Sequence, residues 1–205
     1  MRPLEVPVGR ITAITASPRA AGRFDLVVDG VPVARLSIQG IESLGLRVGL
    51  ELDERLAAAI GAEATVSRAY DRAMSMLAAR GRASGELRRL LVRKGESAEV
   101  VAEVITRLTV AGFLDDASFA RQFTRWKSGG AGLSRRRIEQ ELGRKGVDRQ
   151  VAAEAVAETF LEENVDERAA IQAVAEKKLR TMAKLDEPTR RRRLYSFLAR
   201  RGYDA

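Results

Sequence analysis

The stretch ELRRLLVRKG (Glu86 to Gly95) recurs 51 positions later as RIEQELGRKG (Arg137 to Gly146) and near the end of the chain as RLYSFLARRG (Arg193 to Gly202). In each copy, two apolar residues lie eight and four positions before the glycine, and this spacing places both on one face of a helix. The glycine suits the left-handed residue that ends a helix, and the two cations before it complement the negative end of the helix dipole. The stretch therefore predicts three equivalent helices, each of which packs its apolar pair into the small core of a helical unit. The apolar pairs are Leu87 and Leu91, Ile138 and Leu142, and Leu194 and Leu198.

The repetition extends into the helix that follows each copy. Ser97 and the apolar stripe from Val100 to Ile105 are matched, at the same offset of 51, by Asp148 and the stripe from Val151 to Val156. Ser and Asp both favour the N-cap position of a helix. A cap and a whole stripe matched without a gap indicate a structural repeat. We expect a third repeat with a less regular sequence match, which begins at about Asp166 and ends before its third helix forms.

The first part of the chain has the pattern of β-structure. The segments 23–28 and 31–38 flank Asp29-Gly30, a pair that favours a type I′ hairpin turn because both residues need positive φ. Pro32 beside the turn predicts that the second strand lies at a sheet edge. RITAIT (residues 10–15) predicts another short strand.

The predicted fold is all-α, with tandem three-helix, helix-turn-helix-like repeats after a small N-terminal cap that contains a β-hairpin. We expect the β-containing cap at residues 1–62, repeat 1 at 63–114, repeat 2 at 115–163, and a truncated repeat 3 at 164–205.

The composition of the 205-residue chain excludes several classes of protein. It contains no cysteine and no histidine, so disulfides, thiol nucleophiles, zinc sites of Cys/His type and His-based triads are absent. No apolar run is long enough to cross a membrane, and the first residues lack the apolar region of a signal peptide. We therefore expect a cytoplasmic, monomeric binding protein with no catalytic residues, cofactor or metal site.

The net charge of +8 lies in the helical part of the chain. Residues 1–62 contain seven basic and seven acidic side chains, whereas the remainder contains 29 basic and 21 acidic ones. We call the three helices that carry the repeated stretch the middle helices of their repeats. Several cations lie early in these helices, where the helix dipole gives them no benefit. A solvated helix face would explain them, and so would a basic face for an acidic or polyanionic partner. The candidate partner-binding residues are Arg88, Arg89, Arg93, Lys94, Arg135, Arg136, Arg137, Arg144, Lys145, Arg190, Arg191, Arg192 and Arg193.

Three other features favour structural roles over functional ones. The aromatic residues Phe113, Phe119, Phe123 and Trp126 have helical spacing and predict core packing rather than a stacking platform for bases. Asp115-Asp116 predicts a helix N-cap rather than a metal site. SGGAG (residues 128–132) lacks the spacing of a phosphate-binding loop and suits a hinge between repeats.

These motifs together resemble the RecX family, bacterial regulators of the RecA recombinase. The resemblance is carried by ELRRLLVRKG, by VITRLTVAGFLDDASFARQFTRWK (Val104 to Lys127) and by RIEQELGRKG. The element LxxxGFLDDxxFA (Leu108 to Ala120) is the most specific part.

The resemblance implies a non-enzymatic protein built of three-helix units in a curved, elongated array. Such a protein would bind RecA or the RecA–DNA filament and inhibit its recombinase, ATPase and coprotease activities. Direct contact with single- or double-stranded DNA stays open. A nucleic-acid-binding protein of helix-turn-helix type is the alternative, since an Arg-rich helix in a three-helix unit also suits DNA. A passive helical scaffold for another acidic partner is a third reading.

Overall fold

The computed structural model describes residues 4–18, 20–129 and 132–203. Within those residues the chain forms four strands and nine helices. The strands are β1 (Gly9–Ala16), β2 (Arg23–Val28), β3 (Val31–Ser37) and β4 (Glu51–Leu52). The helices are α1 (Ile38–Ser43), α2 (Glu54–Ala79), α3 (Ser84–Arg93), α4 (Ala98–Val110), α5 (Asp116–Gly129), α6 (Arg135–Lys145), α7 (Arg149–Glu162), α8 (Glu167–Arg180) and α9 (Glu187–Arg200).

The described residues divide into two compact units. The first contains the residues up to Arg80 together with Leu87–Phe113, and the second contains Gly81–Glu86 and the residues from Leu114 onward. The first turn of α3 therefore belongs to the second unit, and the rest of α3 belongs to the first.

The strands form one antiparallel sheet in the order β3-β2-β1-β4. Asp29 and Gly30 have φ values of 49° and 80°, as the predicted hairpin turn requires. Pro32 lies in β3 at the edge of the sheet, which confirms its predicted position. The two-residue strand β4 was not predicted, because two residues carry no readable alternation.

Helix α2 contributes to two parts of the first unit. Asp53 caps it by accepting a hydrogen bond from the N–H of Leu56 at 2.7 Å. Ile60 and Ala64 pack into the core formed with the strands, whereas Ala69 and Ala73 are buried further along the same helix. The expected boundary between the cap and repeat 1, at residues 62 and 63, lies inside this helix.

The remaining helices of the first unit follow the sequence pattern. Leu87 and Leu91 of α3 are completely buried. Ser97 caps α4, as predicted, by accepting a hydrogen bond from the N–H of Val100. Gly112 ends α4 with a φ of 75°, where a side chain would be strained.

The second unit has its core among α5, α6 and α7. Ile138 and Leu142 of α6 are completely buried and pack with Val156 and Phe160 of α7. Ser134 caps α6, and Asp148 caps α7 as the sequence predicts. The two apolar pairs of the first two repeats are therefore core residues.

Helices α8 and α9 pack less deeply. No residue of either helix is buried, and Leu194 and Leu198 are only half-buried. The prediction that this pair fills a core is wrong in degree, because two helices cannot enclose a side chain as three can. Met182 and Tyr203, which lie just outside the helices, are the buried apolar residues here among those the structure describes.

Candidate partner-binding site

The candidate cations of α3 are exposed to solvent. Arg88, Arg89 and Arg93 on the helix, and Lys94 directly after it, are all exposed, whereas Leu87 and Leu91 are buried. Arg88, Arg93 and Lys94 form no ion pair with any carboxylate in the described ranges. Their charge is therefore available to an incoming acidic group.

Three of the candidate cations of α6 pair with carboxylates within the second unit, namely Arg135, Arg137 and Lys145. The guanidinium Nε of Arg135 lies 3.5 Å from Glu167, that of Arg137 lies 3.3 Å from Glu141, and the Nζ of Lys145 lies 3.8 Å from Glu86. Arg136 and Arg144 are exposed, as Arg135 is, and both also interact with other groups of the protein.

Two of these cations also lie over aromatic rings. The guanidinium carbon of Arg135 is 4.7 Å from the ring centre of Phe160, and the Nζ of Lys145 is 5.3 Å from that of Phe123. Cations over ring faces gain a modest electrostatic attraction. Part of the charge that the sequence assigned to a partner therefore stabilises the unit itself.

The candidate cations of α9 lie on a helix with little core. Arg191, Arg192 and Arg193 are exposed, and Arg190 is half-buried. Asp186 caps this helix by accepting a hydrogen bond from the N–H of Thr189 at 3.0 Å. Hydrogen bonds from Thr189 lower the pKa of Asp186, and the charge of Arg192 lowers it further.

A repeated hydrogen bond joins successive repeats within the second unit. The carboxylate of Asp116, on α5, accepts hydrogen bonds from the N–H and the Oγ–H of Ser84, at 2.7 and 2.5 Å. The carboxylate of Glu167, on α8, accepts one from the N–H of Arg135 at 3.1 Å. The two donors are 51 positions apart, and so are the two acceptors. Each carboxylate thus satisfies a free N–H at the start of the preceding repeat's middle helix.

Glycine allows the close approach at these junctions. A Cβ on Gly85 would lie 2.6 Å from the backbone of Gly146, and a Cβ on Gly202 would lie 2.4 Å from the Oγ of Ser134. A Cβ on Gly95, by contrast, would meet no atom within 4 Å. The glycines that end the second and third copies of the stretch therefore have a second role, since the middle helix of the preceding repeat begins against them.

Sequence reasoning missed these junction carboxylates. Asp115 is the N-cap that was predicted, because it accepts a hydrogen bond from the N–H of Ser118 at 2.8 Å. Asp116 instead reaches Ser84, which begins α3 and does not cap it with its own side chain. The available signal was the recurrence of an acidic residue at Asp116 and Glu167, at the repeat offset.

The aromatic set is split between core and surface. Phe123 is buried and Phe119 is half-buried, but 65% of Trp126 and 53% of Phe113 are exposed. The prediction that all four are core residues is wrong for Phe113 and Trp126. Helix α5 fills its core-facing positions with Ala120, Phe123 and Thr124, so Trp126 faces solvent with the Nζ of Lys127 4.4 Å from its ring centre.

The first unit contains a half-buried ion pair outside the middle helices. The guanidinium of Arg107, on α4, donates two hydrogen bonds to the carboxylate of Glu63, on α2, at 2.7 and 2.8 Å. The hydrogen bond to Glu63 raises the pKa of Arg107 above its ordinary value. Only 11% of the Glu63 side chain is exposed, so this pair ties α4 to the long helix.

The described ranges contain no group of three or more residues that could hold a metal ion. None of their helices has both the length and the apolar character needed to cross a membrane. The predicted hinge at 128–132 includes residues 130 and 131, which lie outside the described residues, so it stays a prediction.

Comparison with known proteins identifies the repeats. Three family models match in chain order: "RecX, first three-helix domain" at residues 69–108, "RecX, second three-helix domain" at 115–156 and "RecX, third three-helix domain" at 166–205. The chain belongs to the RecX family.

Relatives named regulatory protein RecX share a substantial part of this sequence. The protein of Amycolatopsis mediterranei is 38% identical over 141 residues, which cover 69% of this chain and 79% of that one. The protein of Mycobacterium ulcerans is also 38% identical, over 63% of this chain and 74% of its own. The chain is accordingly a member of a regulatory protein family.

Solved structures agree on the fold. A crystal structure of a regulatory protein RecX superposes with a TM-score of 0.79 at 22% identity, and the match covers 97% of this chain and 95% of the other. The RecX of Lactobacillus salivarius gives a TM-score of 0.57 at 18% identity, over 68% of this chain and 89% of the other. Tandem three-helix domains after a small β-containing N-terminal part are therefore confirmed as the fold.

Proposed function

We propose that this RecX family member binds the RecA recombinase, either free or as the RecA–DNA filament, and inhibits its strand exchange, ATP hydrolysis and coprotease activity. It acts by occupying a surface and performs no catalysis of its own. The exposed cations of the middle helices form the interface.

The observation that carries this proposal is the recurrence of cation-bearing middle helices along a chain whose relatives are named as regulators. Helices α3, α6 and α9 each end on two cations, and two junctions of equivalent chemistry connect the repeats. A filament of identical subunits presents the same acidic groups at regular intervals. A repeat protein can match such a partner with one contact per repeat.

The internal contacts of the cations direct where the interface is tested. Reversing Arg135 or Arg137 would place a new carboxylate beside Glu167 or Glu141, so a loss of binding could reflect damage to the fold. Arg88, Arg93 and Lys94 avoid this difficulty because they have no carboxylate partner in the described part of the chain. The variant of choice is Arg88→Glu/Arg93→Glu/Lys94→Glu.

The test is ATP hydrolysis by the cognate RecA on single-stranded DNA, titrated with this protein from far below to equal stoichiometry. The parent protein should inhibit hydrolysis, and the α3 variant should require at least tenfold more protein for the same inhibition. The matched control reverses three exposed arginines of the first unit that are outside the proposed interface, Arg47, Arg55 and Arg68, with the same change in net charge. That control should inhibit as the parent does.

The stoichiometry separates two modes of action. Inhibition at far less than one molecule per RecA subunit indicates that growing filament ends are capped, whereas inhibition near equal stoichiometry indicates that the groove is coated. No inhibition by the parent protein at any ratio would refute the proposal, and equal inhibition by the α3 variant would refute the choice of interface.

A further inference from the structure

A groove between α8 and α9 has an unusually cationic lining. Its volume is about 600 Å³, and the turn that joins the two helices closes one side of it. No carboxylate among the described residues lines it. The cations around it are Lys178, Arg180, Lys184, Arg192, Arg193 and Arg200.

Most of this charge is not neutralised within the protein. Arg180, Lys184, Arg193 and Arg200 form no ion pair with a carboxylate of the described residues. On the neighbouring α5 and α7, by contrast, a single guanidinium, that of Arg125, lies between two glutamates at 2.9 and 3.1 Å. Like charges that share a groove repel one another, so a bound anion would relieve this repulsion.

The excess is concentrated in this part of the chain. Residues 166–203 contain eleven basic and five acidic side chains, which accounts for six of the eight net positive charges. Core packing does not explain the arrangement, because neither α8 nor α9 buries any of its own residues. The cations line a groove rather than cover a core.

An aromatic surface adjoins the groove. Tyr195 is 58% exposed and lines a second depression of about 570 Å³ together with Glu187, Pro188, Arg191 and Arg192. Arg192 lines both depressions, so the cationic groove and the tyrosine ring are neighbours on α9. An exposed flat ring beside guanidinium groups is the combination that binds unpaired bases along a charged backbone.

We propose that the α8–α9 groove binds the phosphodiester backbone of a single DNA strand, with one of its bases stacked on Tyr195. Guanidinium and ammonium groups contact successive phosphates, and the hydroxyl of Ser196 in the lining offers a further donor. The flat ring favours a nucleic acid over an acidic protein surface, which has no base to stack. It favours a single strand over a duplex, whose bases are already paired. This site requires no recombinase and goes beyond the function proposed above.

The experiment measures binding of a fluorescent oligothymidylate to the full chain by anisotropy, at several salt concentrations and without recombinase. The groove variant is Arg180→Ala/Lys184→Ala/Arg200→Ala, and none of these residues is changed in the α3 variant that tests RecA inhibition. Each lost phosphate contact lowers the slope of log affinity against log salt by about 0.7, so the slope should fall by about 2. Affinity at 0.1 M salt should fall roughly a hundredfold through counterion release alone.

The matched control is Arg47→Ala/Arg55→Ala/Arg68→Ala, which removes the same charge from exposed positions of the first unit. It should retain the salt slope of the parent. Tyr195→Ala should weaken binding about fivefold or more at an unchanged slope, whereas Tyr195→Phe should bind like the parent because it keeps the ring. Thermal unfolding of all variants verifies that each is folded.

Four results would overturn the proposal. The first is a groove variant that binds like the parent, and the second is an equal loss in groove variant and control. The third is a duplex that binds as tightly as the single strand while Tyr195→Ala has no effect. The fourth is competition by a poly-glutamate peptide as strong as that by an oligonucleotide of equal charge, which would assign the groove to an acidic protein. Failure here leaves RecA inhibition untouched, because the α3 variant tests that function through different residues.

Discussion

Removing the carboxylate of Asp116 should weaken the junction between the first two repeats more than any nearby surface change. In Asp116→Ala, the N–H and the hydroxyl of Ser84 both lose the acceptor that lies 2.7 and 2.5 Å away. The N–H is one of the free donors at the start of a helix, so its loss resembles the loss of an N-cap, about 1 kcal/mol. The hydroxyl loses a hydrogen bond to a charged acceptor, about 1.5 kcal/mol. We expect the free energy of unfolding to fall by about 2–3 kcal/mol.

The neighbouring Asp115 provides the matched control. It is also an aspartate at the start of α5, but it only caps its own helix, through the N–H of Ser118. Asp115→Ala should cost about 1 kcal/mol. Asp116→Asn should fall between the two, because the amide oxygen can still accept from the N–H of Ser84 while the charge is lost.

Urea unfolding followed by the fluorescence of Trp126, the single tryptophan, measures these differences, and circular dichroism serves as the second probe. Amide hydrogen exchange gives the local result: the N–H of Ser84 should exchange faster in Asp116→Ala and normally in Asp115→Ala. Equal destabilisation by both alanine variants, or unchanged exchange at Ser84, would refute the junction role of Asp116.

Three further predictions test other contacts. Gly85→Ala should lower the free energy of unfolding by about 1–3 kcal/mol, because the new Cβ meets backbone atoms at 2.6 Å. Gly143→Ala, with open space around the new Cβ, should raise the free energy of unfolding by about 0.5–1 kcal/mol. Chemical denaturation measures both changes. Arg107→Ala should cost about 3 kcal/mol in the same assay, because the mostly buried carboxylate of Glu63 loses its charged partner and keeps only a hydrogen bond from the Ser67 hydroxyl among its described contacts. Arg125→Ala, at an exposed ion pair, should cost less than about 1 kcal/mol. Burial raises the pKa of Tyr203, so its neutral form is favoured in the folded protein and stability should fall as the pH rises above the ordinary tyrosine value of 10.0. Melting temperatures across that range should show the decline in the parent and a smaller one in Tyr203→Phe.

The sequence predicted the features that depend on neighbouring residues. Ser97 and Asp148 were predicted correctly as N-caps because a cap reaches only two or three residues along its own helix. The Asp29-Gly30 turn is equally local, since it needs only two residues with positive φ. The offset of 51 residues then extended these local assignments from one repeat to the next.

Contacts between distant residues could not be predicted in this way. The pairing of Arg135 with Glu167 spans 32 positions, so no helical period connects the two residues. Trp126 has the spacing of a core residue but lies on the outer side of α5, and that outcome depends on which face α6 and α7 cover. The extent of the candidate interface could not be predicted either, because folding brings carboxylates from distant positions next to part of the predicted basic face and neutralises it.

The junction chemistry has a consequence for how such a chain can grow. Donor and acceptor of each junction are 32 positions apart, and both recur at an interval of 51, so one period contains everything that the connection needs. A gene in which residues 84–134 were duplicated in frame would therefore encode one more junction of the same kind without any compensating substitution. Lengthening by whole periods is therefore the simplest route by which a protein of this design could gain a further repeat.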